Sequence, residues 1–462
     1  MLQNDAAVGR DTLAHRLARN MRVWRWLAAD LAMRVLVPYV SHVLYVTYRA
    51  TRWWDRAISL RLLMAAHRYY ATETKTKQVV REYPEMLKAI GRLMGHQETV
   101  TTDDPSVALI ARRAIILKWP RRHGAVIERG VLLISFTTSF PHFYHHTDLQ
   151  ALQRWFTIVL EPSWAGYCLA EVLFWSGPGR PAVIVQATER KDFELLSRLD
   201  SNLIPVEFGA SNWVDDRVFR KLDDVAKRYD VIYVGNYKAT KRHHVLFRAV
   251  REIGDSSFKV ALVCSPWGGT RNSILDLIEY YGVEGNVDIH EAVGAVALNE
   301  LLNASKVSVL LSLKEGSNRA IFEGFFADVP AIMLKDNVGV NKEYINECTG
   351  RLIEEKELPE ALLYFRENWQ AFRPREWALE HIAAPVTTRA LEDVLARISN
   401  RGGLPWTAGL RIKVNRPEVE YYETLEPFPV STLELLQLFE KRAESVPDAI
   451  EHRLSQLGMT VS

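Results

Sequence analysis

Along the second half of the chain, short uncharged β-forming runs alternate with stretches whose apolar positions recur at helical spacing. Val231-Ile-Tyr-Val-Gly235 reads as a buried strand, and residues 245–253 read as a helix. Residues 258–264 form the next strand pattern and 272–281 the next helix pattern. A strand at 287–289, a helix near 298–304 and the run Val307-Ser-Val-Leu-Leu-Ser-Leu313 continue the alternation. Strands alternating with helices imply parallel βαβ units with right-handed crossovers. Every loop that leaves a strand then falls on one edge of the sheet, which is where open α/β sheets bind ligands.

A second, looser α/β pattern begins near Ala108. Residues 114–118, 131–136, 156–160 and 182–186 read as core strands, with a further short one at 203–208. The first seventy or so residues differ: arginines outnumber acids and are interleaved with Trp24, Trp26, Trp53 and Trp54. The apolar run from Val35 to Tyr48 has 14 residues, whereas a spanning helix needs about 20. Asp30, Arg34 and Pro38 interrupt any longer span. The segment is suited either to a membrane interface or to a helical extension that covers the core. Beyond Asn400 the chain carries Pro and Glu, with a helical pattern near 433–457, and reads as a packing or interaction appendage.

Candidate chemistry gathers at two strand-to-helix turns. The run 307–313 leads into Lys314-Glu315-Gly-Ser-Asn-Arg-Ala-Ile-Phe-Glu323, with seven residues between the two glutamates. Gly316, Ser317 and Asn318 suit a sharp turn and a helix cap. The helix they open offers free N–H groups and its positive dipole end to an anion. Glu323, about two helical turns beyond Glu315, can accept hydrogen bonds from a diol such as a ribose. The simpler alternative is a capped helix with an Arg319–Glu323 pair at i,i+4 and an incidental loop glutamate. The loop 235–244 brings Lys238, Lys241 and Arg242 to the same edge, as an anion site or as a solvated basic loop.

Taken together, residues from Pro205 to Leu379 resemble the donor-binding half of retaining family-4, or group 1, glycosyltransferases of the GT-B fold. Four features carry the resemblance in order: Val234-Gly235 with Lys241 six positions after the glycine, the strand end Leu262-Val-Cys-Ser-Pro266, the strand Asn286-Val-Asp-Ile-His290, and the paired glutamates. The resemblance implies that Glu315 contacts donor-sugar hydroxyls near the reacting carbon. It implies that Gly316, Ser317 and Asn318 offer amides to sugar and diphosphate, and that Glu323 holds the ribose. Lys241 would neutralise the leaving diphosphate, with Gly235 and Ser265 at the strand ends and His290 and Glu291 beside the base. The family commonly carries an arginine directly after the strand-end glycine. This chain has Asn236, so Lys238 or Arg242 is the expected substitute.

On the acceptor side, the loops Phe140-Pro-His142-Phe-Tyr-His145-His146 and Glu161-Pro-Ser163-Trp164 offer groups to orient or deprotonate an acceptor hydroxyl. His142 and Glu161 are the candidates there, against the plainer reading of locally bonded side chains. No ligand-spaced cluster calls for a metal. Gly177-Pro-Gly-Arg-Pro181 is an ordinary loop signal.

Length and composition add bounds. The 462 residues suit two Rossmann-like halves plus extensions. A net charge of +2 gives no reason to expect nucleic acid. Cys168, Cys264 and Cys348 are widely spaced and odd in number, as buried thiols in a reducing compartment are. No secretory signal pattern is evident.

The resulting expectation is an α/β chain of GT-B type, with two Rossmann-like domains facing a cleft and an α-helical N-terminal extension. Residues 1–107 form the extension, 108–205 the acceptor-side domain, 206–378 the donor-binding domain, and 379–462 a cross-over helix and appendage. The implied activity moves a sugar from a nucleoside diphosphate to a glycan, lipid-linked or small-molecule acceptor with retention. It needs no metal and no cofactor beyond the nucleotide sugar. The implied location is cytoplasmic, peripheral to the inner face of the membrane if the N-terminal segment touches it. The rivals are a non-catalytic GT-B-like binding or scaffold subunit, and an epimerase or phosphorylase on the same fold.

Overall fold

The computed structural model describes residues 13–95, 110–416 and 419–440. Two sheets, each built largely from short uncharged runs, form the cores of two α/β domains.

The sheet of the domain expected to take the acceptor, called acceptor-side for that expectation alone, has the order β1-β4-β5-β6-β7. Its strands are Ala114–Lys118 (β1), Gly130–Ser135 (β4), Phe156–Glu161 (β5), Val183–Gln186 (β6) and Leu203–Val206 (β7). A small hairpin of β2 (Arg121–His123) and β3 (Val126–Glu128) interrupts the sequence. β4 to β7 run parallel, but β1 pairs antiparallel with β4. Side-chain pattern cannot reveal this reversal, because a strand buried on both faces looks the same in either direction.

The sheet of the domain expected to bind the donor, called donor-side on the same basis, has the order β10-β9-β8-β11-β12-β13 and is parallel throughout. Its strands are Tyr229–Asn236 (β8), Val260–Ser265 (β9), Val287–Glu291 (β10), Ser305–Leu310 (β11), Ala331–Leu334 (β12) and Gly350–Ile353 (β13). The order reverses between β8 and β11, so their outgoing loops flank the topological switch point. The loops carrying Lys241 and Glu315 are these two.

The chain crosses back to the first domain near Ile382. Helix Pro374–His381 places Ala378 in the donor-side core, and helix Ala384–Arg401 places Leu391 and Leu395 against β1 and β4. A hairpin of β14 (Lys413–Asn415) and β15 (Val419–Tyr421) follows. The helical pattern near 433–457 begins as Thr432–Leu438, and its remainder lies outside the described residues.

The N-terminal region is helical: α1 (Leu13–Leu31), α2 (Val37–Thr51), α3 (Arg56–Tyr69) and α4 (Glu73–Gly95). α1 and α2 run on through a π-helical stretch at Ala32–Leu36, directly before Pro38. Proline removes an i→i−4 bond, and a π-turn is one way a helix absorbs that loss. The result, from Leu17 to Thr51, is a helix long and apolar enough to cross a membrane by length and composition. The interruptions at Asp30, Arg34 and Pro38 therefore do not end it. α1 packs Val23 into the donor-side core, whereas α3 and α4 pack Leu63, Tyr83 and Met86 into the acceptor-side core. The extension thus straddles both domains.

Candidate active site

Glu315 sits where the chain leaves β11, and its position is fixed from several directions. Its N–H donates to Val338 O at 2.7 Å. Its carboxylate accepts from Ser312 Oγ at 2.6 Å and from Lys241 Nζ at 2.5 Å. Gly339 packs beneath it at φ +116°, where a Cβ would lie 2.0 Å from Glu315 O. Only glycine fits that conformation and that approach. Asn318 caps the helix Arg319–Phe326, accepting from Ile321 N at 3.2 Å. Glu323 lies inside this helix, and burial raises its pKa, opposed by Arg319 at 3.6 Å.

The glutamate loop also touches the other domain. At Gly316 a Cβ would lie 1.8 Å from Ser163 O, so backbone meets backbone across the cleft. Thr188 Oγ1 donates to Gly339 O at 2.8 Å, and Gly339 N donates to Glu189 Oε2 at 2.7 Å. Ser317 Oγ accepts from Ser211 N at 2.9 Å. The two domains therefore stand closed around a cavity of about 370 Å³ that contains Lys241, Glu315, Ser317 and Asn318.

The acceptor-side wall supplies Arg113, Phe136 and Glu161. Phe136 follows β4 at φ 66°, an uncommon conformation for an aromatic residue, with the Arg113 guanidinium 4.1 Å above its ring. Glu161 is buried, and its oxygens accept from Lys413 Nζ at 2.6 Å and Asn415 Nδ2 at 3.2 Å. Burial pushes Lys413 down to about 8, against the attraction of Glu161. Asn415 and Arg416 of the C-terminal hairpin also line the cavity.

Several sequence expectations are corrected by this geometry. Arg242 is not in the cleft. It is fully buried and bonds Asp30 of α1 and Glu355, so it serves as a clasp and not as a diphosphate ligand. Lys238 lies over the Trp267 ring at 3.6 Å and is likewise absent from the cavity wall. Neither lines the cavity where the substitute for the family arginine was expected. Asn236 makes a local turn, its Oδ1 accepting from Lys238 N at 3.0 Å, while Gly235 lies against the aliphatic part of Lys241. His142 is in the first turn of helix Phe140–His146 and does not line the cavity. Glu161 reaches the cavity, but as the counter-ion of a buried lysine. Ser265 is exposed at the end of β9. His290 contacts Tyr229 at 3.2 Å, and Glu291 accepts from Tyr237 and from Arg271 at 2.7 Å.

Sequence reasoning missed Arg113, Phe136, Arg319 as a cavity residue, Asn415 and Arg416. Arg319 carried a signal, since it lies between the paired glutamates. The tail, read as a packing or interaction appendage, packs on the first domain through the Lys413–Glu161 pair and also brings Asn415 and Arg416 to the cavity wall.

Two anion-favouring elements at a switch point, a basic loop and a helix N-terminus with a carboxylate between them, point to a nucleotide-sugar fold. Residues 214–369 match glycosyl transferases group 1. The matched stretch spans the donor-side sheet from before β8 through the helix Leu358–Asn368. No curated protein sequence matches the chain.

Solved glycosyltransferase structures are similar to it in part. TarM, also solved from S. aureus as a mutant, aligns at 17% identity and a TM-score of 0.46, covering 57% of this chain and 54% of TarM. The chain thus spans about half the length of TarM. Sucrose-phosphate synthase from Thermosynechococcus elongatus aligns at 17% identity and 0.47, covering 59% and 74%. HepE from Anabaena, solved with UDP and glucose, aligns at 15% identity and 0.45, covering 57% and 77%. The described residues themselves show two α/β domains with largely parallel sheets on either side of a cleft, and an added helical region.

Proposed function

We propose that the chain transfers a sugar from a nucleoside diphosphate to a glycan, lipid-linked or small-molecule acceptor bound in the interdomain cleft, with retention of configuration. The observation that carries this reading is the Lys241–Glu315 pair at the switch point, inside a domain that matches glycosyl transferases group 1. In this reading the departing diphosphate takes Lys241 from Glu315 and accepts N–H bonds from the turn 316–318. Charge that develops on the leaving oxygen is met by groups already in position, usually the largest catalytic contribution. Lys241 supplies the positive charge without a metal, and Glu315, freed from it, holds the donor sugar. Glu323, whose burial is offset by Arg319, is assigned the ribose hydroxyls by the resemblance, although it does not itself line the cavity in this closed form. Arg113, Arg319 and Arg416 line the same cavity and offer the second cation that Asn236 does not. Closure over Gly316 excludes water, so transfer outruns hydrolysis.

The alternative, a subunit that binds nucleotide sugar without turnover, is favoured by Asn236 acting as a turn former. A panel of nucleotide sugars separates the two. Ligand binding raises thermal stability by mass action, and release of nucleoside diphosphate reports turnover. We expect at least one donor to do both, and Glu315→Gln to lower turnover by about 10²-fold or more. Stabilisation with identical background release from wild type and variant would leave the binding subunit as the answer.

We also infer that the helix from Leu17 to Thr51 rests on a membrane surface at the cytoplasmic side. Its outer face exposes Trp24, Leu31, Val35 and Tyr39, and the turn that follows exposes Trp53 and Trp54. Arg25 and Arg49 are exposed on the same segment, a combination suited to anionic headgroups.

A further inference from the structure

The acceptor-side domain contains a second cavity, of about 630 Å³, on the sheet edge opposite the cleft. Its walls come from segments that enter strands. Arg129 immediately precedes β4, Gln153 and Arg154 precede β5, and residues 178–181 precede β6. β4 is six residues long, so Arg129 and Phe136 at its two ends are separated by roughly 20 Å. Nothing in the proposed transfer reaction uses this end of the sheet.

The cavity is rich in donors that lack acceptors. Arg129 is half-buried and Arg154 exposed, and neither has a hydrogen-bond or ion-pair partner among the described residues. Burial alone perturbs Arg129, lowering its pKa. Arg180 also faces the cavity and is held by one backbone bond, Nη1 to Phe174 O at 2.7 Å. Trp175 is 1% exposed, and its indole N–H is buried without an acceptor. A buried donor left unpaired costs about 1–3 kcal/mol, so its retention calls for an explanation. Asp148 is the lining carboxylate, and it is already the cap of helix Leu149–Trp155, accepting from Ala151 N at 3.0 Å.

Three guanidinium groups and an indole N–H ask for a ligand that is acceptor-only, which means a carboxylate or a phosphate. The volume far exceeds what such a group alone would fill. Tyr144 and Trp175 add aromatic surface, and Gln150 and Gln153 add planar amides. These side chains suit a polyhydroxylated ring with an acidic substituent. We propose that this cavity binds an acidic saccharide unit, bearing a carboxylate or a phosphate, at a site separate from the transfer cleft.

The test uses the full chain and measures binding of glucuronic acid, glucose 6-phosphate, glucose and inorganic phosphate by titration calorimetry at matched ionic strength. We expect saturable binding of at least one acidic sugar, with glucose and inorganic phosphate at least tenfold weaker. Arg154→Gln, an exposed change that spares the fold, should weaken that binding about tenfold. Trp175→Phe, which keeps the ring and removes the N–H, should weaken it severalfold. Lys241→Met, in the cleft, should leave it unchanged. No saturable binding, binding indifferent to Arg154→Gln and Trp175→Phe, or loss in Lys241→Met would each overturn the proposal. Phosphate binding as tightly as the acidic sugars would reduce the site to a simple anion pocket and overturn the saccharide assignment. Because the cleft is probed separately through nucleotide-sugar release, failure here and failure of the transferase reading give different results.

Discussion

Asp30 and Arg242, 212 residues apart in the chain, form a buried two-point ion pair, with Nε to Oδ1 at 2.5 Å and Nη2 to Oδ2 at 3.1 Å. Arg242 holds this pair at φ 59°, the left-handed conformation, directly after Lys241. Burial pushes the Asp30 carboxyl up, but hydrogen bonds from His244 and Arg242 outweigh it and hold the group well below its ordinary range. A helix of the N-terminal extension thereby fixes the residue adjacent to the cation of the candidate site.

That clasp yields the first prediction. Asp30→Asn removes one charge of a buried pair, a change that costs about 3–5 kcal/mol when the partner is left alone. Glu355 still faces Arg242, so the loss should fall at the lower end of that range, measured by denaturant unfolding. Because Lys241 follows the same loop, nucleotide-sugar affinity should fall about tenfold as well. Hydrogen exchange should accelerate across α1 but not across α4, which packs on the other domain.

Gly316→Ala tests closure. Its Cβ would lie 1.8 Å from Ser163 O, and neither backbone segment can give way without opening the cleft. Overpacking of this kind costs about 1–3 kcal/mol. Turnover should suffer more than stability, because a shift of 1 Å in a reacting geometry can cost about 10²-fold. An activity loss no larger than the stability loss would argue that the glycine matters for packing alone.

How much of this was legible follows from the range over which each feature is encoded. Most strands of the two sheets were readable because buried parallel strands are uncharged β-branched runs, but β12 and β13 were not among those read. The meeting of Lys241 and Glu315 was readable because βαβ topology forces both loops to one edge. Asn318 as a cap was local chemistry. Arg242 was misread because its partners, Asp30 and Glu355, lie far off in sequence, and one of them belongs to a segment with no motif. The hairpin carrying Lys413, Asn415 and Arg416 was missed for a related reason. Its strands have three residues each, too few for periodicity, and its role depends on threading back between the domains.

That hairpin gives a pH prediction. Burial pushes Asp215 up, but hydrogen bonds from Arg217 and Arg416 outweigh it and hold the group at about 2, against an ordinary 3.8. A depressed carboxylate stabilises the fold fully above its unfolded pKa, and the contribution is lost as pH falls through the folded value. Stability should therefore decline by roughly 2 kcal/mol between about pH 4 and pH 2 from this group alone. Arg416→Gln should lower stability at pH 7 and flatten that acid slope, with wild type and variant converging near pH 2. Parallel curves over the whole range would mean that the Arg416–Asp215 contact at 2.6 Å carries no linkage.

The outer face of the N-terminal helices sets the last prediction. Trp53 and Trp54 are 78% and 90% exposed, and the Arg52 guanidinium lies 4.6 Å above the Trp53 ring. Burying each indole in a lipid interface should contribute about 1.5 kcal/mol. Trp53→Ser/Trp54→Ser should then reduce partitioning to vesicles by about 10²-fold. The arginines of α1 and α2 should make binding stronger on vesicles containing phosphatidylglycerol than on phosphatidylcholine alone, and weaker in high salt. Both substitutions lie far from the cleft in sequence and touch neither core, so thermal stability and nucleotide-sugar binding should not move. Equal partitioning of wild type and variant, with folding intact, would assign these exposed rings to something other than lipid.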